Sequence, residues 1–263
     1  MKLSARQRSI IVGLAFAGMA GAILVLPAIY FLGLWLSPPR PVPSAAQVPT
    51  LFADAVWAHV DGGRATELRP VNPANLAGMF GCLVAGDIGD PPEQRVKKQA
   101  CMERMPGLQA AEYLSRLHMR DEGVLPGKIR YAFAQVATGG WITRHWSKTE
   151  MIATLSSSSE FGLGWRGAEG AARGYFGRPL TELALPQAAM LASFIGTVGT
   201  KGLGMANSWV DPWCDPERVA RMRRRVLDKM HNNLVIDDPA FELADRSELG
   251  LGDPPPDHRP CSG

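Results

Sequence analysis

Apolar residues recur every three or four positions along much of this chain, a spacing that predicts a mainly α-helical protein. The clearest helix is predicted over DPERVARMRRRVLDKMHNNL. Asp215 is a suitable N-cap for it, and Pro216 suits its first position because a proline there gives up no helical hydrogen bond. The apolar positions that form its buried stripe are Val219, Met222, Val226 and Met230.

Shorter segments give further helix signals. LQAAEYLSRLHM (108–119) and KIRYAFAQVA (128–137) contain good helix formers, and Ser147 and Glu150 have the spacing of a capping box. The stretch from Glu169 to Phe194 reads as a short helix, a glycine stop, a turn and a small-residue helix. LFADAVWAHV (51–60) is compatible with either a strand or a helix.

One apolar run near the N-terminus is long enough to cross a membrane. Residues 10–36 contain no charged side chain, and about 20 apolar residues suffice for a transmembrane helix. Three basic residues and no acid precede this run, which predicts a cytoplasmic N-terminus and an outward-facing main domain. The predicted layout is a tail (1–9), a transmembrane helix (10–36), a Pro-rich linker (37–50), one domain (51–250) and an irregular tail (251–263).

The charge balance argues against nucleic acid as a partner. The formal net charge is +3, but Lys2, Arg6, Arg8 and Arg40 lie in or beside the N-terminal segment. The remainder has 24 basic and 25 acidic residues, so the main domain has no overall basic excess. A nucleic-acid-binding domain is expected to have one.

The four cysteines predict disulfides rather than a metal site. All lie beyond the apolar run, on the side expected to be oxidising, and sequence proximity favours pairing Cys82 with Cys101 and Cys214 with Cys261. No CxxC or CxxH spacing occurs and the five histidines are scattered. The sequence therefore predicts no metal and no cofactor.

The second half of the chain resembles a known enzyme family. The segment SKTEMIATLSSSSEFGLGWRGAEGAARGYFGRPLTELALPQAAMLASFIG is similar to peptidoglycan glycosyltransferases of family 51, which occur in class A penicillin-binding proteins and monofunctional transglycosylases. From Phe161 to Gly177 the glycine-rich family pattern falls in register without a gap, and the similarity extends over Ser147 to Met230. It implies a lysozyme-like, mainly α domain that polymerises lipid-linked disaccharide.

The residues at the family's catalytic positions differ. The family uses one glutamate as general base, a second glutamate beside it, and cationic groups on the leaving pyrophosphate. Its A-x-E-D-x-x-F motif aligns best with LVAGDIGDPPE, which puts Gly86 at the first glutamate and Asp87 after it. Its R-K-x-K-E motif aligns with GKIRY, which puts Tyr131 at the second. Glycine cannot take a proton, and a phenol with a pKa near 10 is a poor base at neutral pH.

The G-G-S-T-I-T-Q-Q-L-A-K-N signature of the family is also depleted. It aligns with PGLQAAEYLSRLH, where Gly107, Leu114 and Arg116 remain. The resemblance implies that Arg116, Lys128 and Arg130 lie at or near positions that face the pyrophosphate. These three residues are the predicted substrate-binding cations.

Three functions follow as hypotheses. The first is a non-catalytic module at the outer face of a bacterial cytoplasmic membrane that binds a lipid-linked precursor, a glycan or a wall-synthesis protein. The second is an active glycosyltransferase with a displaced carboxylate. The third is a lysozyme-like hydrolase, which also needs a carboxyl group of raised pKa. The candidate displaced carboxylates are Asp87, Asp90, Glu112 and Glu160.

Overall fold

The structure is a computed structural model that describes residues 25, 27–61, 68–72, 106–124, 129–196, 210–256, 258 and 261. The described residues are mainly helical, as the sequence predicts, and the β-type pairing among them is an isolated bridge between Glu160 and Arg166. The helices are α1 (Thr50–Val60), α2 (Leu108–Asp121), α3 (Ile129–His145), α4 (Lys148–Ser158), α5 (Ala168–Phe176), α6 (Leu185–Phe194), α7 (Pro216–Asn232) and α8 (Asp238–Arg246).

Helix α6 is the centre of the core. Every residue from Pro186 to Phe194 is buried, because α1 and α7 pack on it and α5 and α8 also touch it. Its small residues Ala188, Ala189 and Ala192 let these neighbours approach closely. The stretch 51–60, which is ambiguous in sequence, is helical in α1, and Phe52, Val56 and Val60 on it are buried.

The predicted helix starts are confirmed. Ser147 and Glu150 form both hydrogen bonds of a capping box at the start of α4, and the Asp215 side chain caps α7 through the Arg218 N–H. Helix α3 is longer than the predicted segment and continues to His145. It passes through Gly139, where a Cβ would lie 3.7 Å from the Ala111 carbonyl oxygen, an ordinary contact distance, so α2 and α3 pack closely at this point.

A helical segment at 27–36, here called the N-terminal helical segment, packs along α3. A Cβ on Gly33 would lie 2.5 Å from the Phe133 carbonyl oxygen, so the backbones are in close contact. The Ser37 hydroxyl lies 3.1 Å from that of Thr138, and the Arg144 guanidinium lies 4.5 Å from the Tyr30 ring centroid. Within the described residues, no helix has the length and apolarity needed to cross a bilayer; residues 10–24 and 26 of the predicted transmembrane helix lie outside them.

The C-terminal tail is attached to the domain at several points. A disulfide joins Cys214 to Cys261, with a Cα–Cα distance of 5.2 Å, so this predicted pair is present. The Gly252 N–H donates to the Tyr175 carbonyl at 2.8 Å, and the Trp213 indole N–H donates to the Gly252 carbonyl at 3.1 Å. The other predicted pair, Cys82 and Cys101, lies outside the described residues and stays a prediction.

Candidate functional site

Three charged residues of α2 form one stripe, because they are spaced by four: Glu112, Arg116 and Arg120. We call them the charged stripe. The Glu112 carboxylate lies 3.4 Å from the Arg116 guanidinium, and that of Arg120 lies 3.1 Å from the Glu160 carboxylate. Two candidate carboxylates of the sequence analysis are therefore each paired with an arginine of the same helix face.

Tyr131 lies beside this stripe, on α3. Its side chain is buried against Met119 and Ala134, and its hydroxyl has no hydrogen-bond partner among the described residues. Burial raises the pKa of Tyr131 above its ordinary value, while the Arg116 charge opposes and the Glu112 charge adds to that shift. The phenol therefore stays protonated at neutral pH and cannot serve as a base there.

The Arg116 side chain lies near two tyrosines, Tyr113 and Tyr131. Its guanidinium lies 4.7 Å from the ring centroid of Tyr113, within the range of a cation–π contact, and its Nε is buried without a partner among the described residues. The structure thus brings together Glu112, Arg116 and Tyr131, three of the positions that the sequence analysis singles out. The result is a buried phenol next to an ion pair whose arginine side chain is 21% exposed.

Glu160 is fixed in an ion-pair network rather than standing free. Besides its bond to Arg120, it forms the backbone bridge with Arg166, whose guanidinium lies 2.6 Å from the Asp121 carboxylate. Arg120 also contacts Asp121, at 3.1 Å. Four alternating charges therefore hold the loop after α4 against the end of α2, which gives Glu160 a structural task.

That loop explains the glycine pattern of the sequence. Gly162, Gly164 and Gly167 all have positive φ angles, between 81° and 86°, where a side chain is strained. The Phe161 N–H donates to the Trp165 carbonyl, and the Gly167 N–H donates to the Ser159 carbonyl. These bonds close a tight loop that presents Arg166 and Glu160 toward α2.

A cleft of about 280 Å³ lies against another side of α2, and none of the described residues that line it belongs to the charged stripe. The Pro-rich linker forms one wall through Pro39–Val42, and the other walls come from α2, α4 and Trp146. The linker is held there by two hydrogen bonds, from the His118 ring to the Pro39 carbonyl at 2.8 Å and from the Ser44 N–H to the Thr154 hydroxyl at 2.8 Å. Leu114 and Leu117 give the cleft an apolar floor, so it suits an amphipathic molecule.

Of the remaining predicted site residues, only Arg130 lies within the described part of the chain. Gly86, Asp87, Asp90 and Lys128 lie outside the described residues. Arg130 donates from Nε to the Leu36 carbonyl at 3.1 Å, so it holds the N-terminal helical segment.

A buried polar cluster lies at the end of α1 and was not predicted from the sequence. The Asp61 carboxyl accepts the Gly107 N–H at 2.8 Å through one oxygen, and its other oxygen is buried without a partner in the described part of the chain. The Lys229 ammonium donates to the His59 carbonyl at 2.7 Å. An acid directly after a largely apolar helix was the available signal, because the end of a buried helix carries its side chains into the core.

Burial shifts the pKa values of this cluster strongly. Desolvation raises the pKa of Asp61 to about 6, against smaller opposing effects of the Gly107 hydrogen bond, Lys148 and Lys229. Desolvation, assisted by the Lys229 charge, lowers the pKa of His59 to about 4. Desolvation also lowers the pKa of Lys229, which the Asp61 charge partly offsets. A carboxyl group of raised pKa is therefore present next to Gly107, a residue retained from the family signature.

Comparison with known proteins confirms the resemblance. Residues 115–231 match the family described as Transglycosylase. Penicillin-binding protein 1A of Aquifex aeolicus is 30% identical over 49% of this chain and 16% of its own length. Its counterparts are 31% identical over 37% of the chain in Streptococcus pneumoniae and 27% identical over 53% in Mycolicibacterium smegmatis, covering 12% and 17% of those relatives.

Residues 115–231 are therefore similar to a transglycosylase domain, and part of the chain is similar to penicillin-binding proteins 1A. The matched part contains Arg116, Arg120, Tyr131 and Glu160, so most of the site described above lies inside it. The alignments span less than a fifth of the length of those relatives, and the activity of the whole relatives is not transferred by this similarity alone.

Proposed function

We propose that this protein is a membrane-anchored, peptidoglycan-glycosyltransferase-like module of cell-wall synthesis that binds a lipid-linked precursor without polymerising it. The observation that carries the proposal is Tyr131. It aligns with the second glutamate of the family and is a buried, protonated phenol beside the Glu112–Arg116 pair. The general-base position of the family aligns with Gly86, outside the described residues, and at the second position a phenol of raised pKa does not replace a carboxylate.

The binding half of the function has support that is independent of catalysis. Arg116 is retained from the family signature, and its side chain is 21% exposed, so an anionic group can reach it. A cleft on another side of α2 has an apolar floor that suits a lipid chain. Pyrophosphate recognition therefore survives in this proposal, while proton transfer is lost.

The proposed anchor is the apolar run 10–36, with the N-terminus in the cytoplasm and the domain on the periplasmic or outer side. The described end of this run supports the placement, because Phe31 and Trp35 on the N-terminal helical segment are 62% and 79% exposed. Large aromatic residues exposed at the end of an apolar helix are typical of a membrane interface. The packing of this segment on α3 would then hold the domain close to the lipid surface.

The alternative is an active glycosyltransferase with a displaced carboxylate. One observation favours Glu112 as that carboxylate. Glu112 contributes to the pKa shift of Tyr131, so its carboxylate lies near the position of the missing glutamate. It is paired with Arg116 rather than buried alone, and a base held by a cation loses proton affinity. Glu160 is less suited to the role because it belongs to the loop network.

Direct binding of lipid-linked disaccharide to the full chain in detergent tests the proposal. Arg116→Ala is expected to weaken binding by tenfold or more, which corresponds to about 1.4 kcal/mol. Arg221→Ala is the matched control, because Arg221 also pairs with a glutamate four residues away but lies exposed on α7. Equal affinity of wild type and the Arg116 variant would refute precursor binding at the charged stripe; no binding by wild type would leave a wall-synthesis protein as the target.

A further inference from the structure

The disulfide between Cys214 and Cys261 is surrounded by two more metal-binding side chains. Donor atoms of Asp211, Cys214 and His258 all lie within 4.8 Å of one another, and the Cys261 sulfur is bonded to that of Cys214. Two thiolates, one imidazole and one carboxylate form a donor set typical of tetrahedral zinc. These residues come from two segments separated by 47 positions at the cysteines. Within each segment the two donors lie three positions apart, Asp211 with Cys214 and His258 with Cys261, a spacing that was not considered in the search for CxxC and CxxH pairs.

The non-cysteine donors are already oriented. One oxygen of Asp211 accepts the N–H groups of Trp213 at 3.0 Å and Cys214 at 3.3 Å, which fixes the carboxylate. Its other oxygen lies 2.8 Å from Nε2 of His258. The His258 side chain is only 10% exposed and packs edge-on against the Trp213 ring, so both donors are held at the sulfur atoms with little freedom.

We propose that reduction of this disulfide creates a zinc site made of Asp211, Cys214, His258 and Cys261. A dithiol reductant transfers two electrons to the S–S bond, which gives two cysteine thiols and leaves the reductant as its own disulfide. One Zn²⁺ then binds both sulfurs and displaces the two thiol protons, since the thiolate is the ligand. His258 binds as the neutral ring, and the Asp211 oxygen that faced it completes a four-coordinate site.

The site would keep the C-terminal tail attached in either redox state. The tail packs on the domain through Gly252, which bonds to the Tyr175 carbonyl and to the Trp213 indole. Because the disulfide Cα atoms are 5.2 Å apart, the two sulfurs need only a small separation to reach a common metal at about 2.3 Å each. The proposed zinc site lies at this tail and does not involve the charged stripe.

Zinc binding to the full chain in detergent tests the proposal, with Cys82→Ser and Cys101→Ser introduced so that those thiols cannot contribute. The expected result is one bound zinc per chain after reduction with a non-chelating phosphine, and none in the oxidised protein. Co²⁺ in place of zinc should give the absorption of a tetrahedral thiolate complex.

Two variants keep the disulfide and therefore fold in the oxidised state before reduction. His258→Ala and Asp211→Asn are each expected to weaken zinc binding at least about tenfold, the lower end of the loss caused even by outer-shell changes. The proposal is overturned if the reduced protein binds no zinc, or if both variants bind it as tightly as the parent.

Discussion

The buried cluster at the end of α1 predicts two opposing pH dependences of stability that nearly cancel in the native protein. Asp61 holds its proton up to about pH 6 in the folded state but loses it near 3.8 when unfolded. The folded state therefore binds more protons across that window, and the free energy of unfolding falls as pH rises. His59 titrates near 4 when folded and near 6.5 when unfolded, so its contribution rises with pH.

The magnitudes follow from the size of the shifts. Each pKa unit is worth about 1.36 kcal/mol, so Asp61 and His59 each contribute up to about 3 kcal/mol over their windows. Both windows cover pH 4 to 6, where the two slopes have opposite signs. A variant that removes one titrating group should therefore show the pH dependence of stability that the other group causes.

The test uses Asp61→Asn and His59→Gln, two substitutions that remove the titration and keep hydrogen-bonding capacity. Urea unfolding, followed by tryptophan fluorescence of the full chain in mild detergent, gives the free energy of unfolding between pH 4.5 and 6.5. As pH rises across this range, the free energy of unfolding of Asp61→Asn is expected to increase by about 2 kcal/mol relative to that of wild type. That of His59→Gln is expected to decrease by about as much. Differences that do not change with pH would refute the assignment of either shifted pKa.

Three further predictions concern helix packing, a helix cap and a buried hydrogen bond. Gly33→Ala should loosen the N-terminal helical segment, because the new Cβ would meet Ala137 at 2.7 Å, and limited proteolysis of the linker should become faster than in wild type. Ser147→Ala removes the capping box of α4 and should cost about 1 kcal/mol in urea unfolding, whereas an unchanged midpoint would contradict the cap. Tyr175→Phe leaves the buried Phe161 carbonyl without its 2.7 Å donor and should cost about 1–3 kcal/mol, measured as a lower melting temperature with the fold retained.

Local helix signals predicted much of the fold. The caps of α4 and α7 were correctly placed, because capping depends on residues three positions apart and not on distant contacts. Glu169 stabilises its helix, because its carboxylate accepts hydrogen bonds from Arg173 at 2.8 Å and from the Leu180 N–H at 3.0 Å. Boundaries that depend on tertiary packing were harder: α3 extends to His145 because its glycines pack against α2 and Tyr30.

The site was only partly predictable. Arg116 and Tyr131 could be selected by alignment, but their contact depends on how α2 packs against α3, which no local pattern contains. Glu160 was a candidate displaced carboxylate, but the structure places it in an ion-pair network with Arg120. Asp61 was missed because its raised pKa comes from burial by α7 and the start of α2, both distant in sequence.

The central claim is that the chain binds a glycosyltransferase substrate without turning it over. The most direct measurement is the formation of glycan polymer from lipid-linked disaccharide by the full chain in detergent, run at concentrations where binding is saturated. The account predicts no polymer, because loss of the general base alone removes about 10²–10⁴ in rate. Robust polymer formation that disappears in Glu112→Gln would contradict it and establish a displaced catalytic carboxylate.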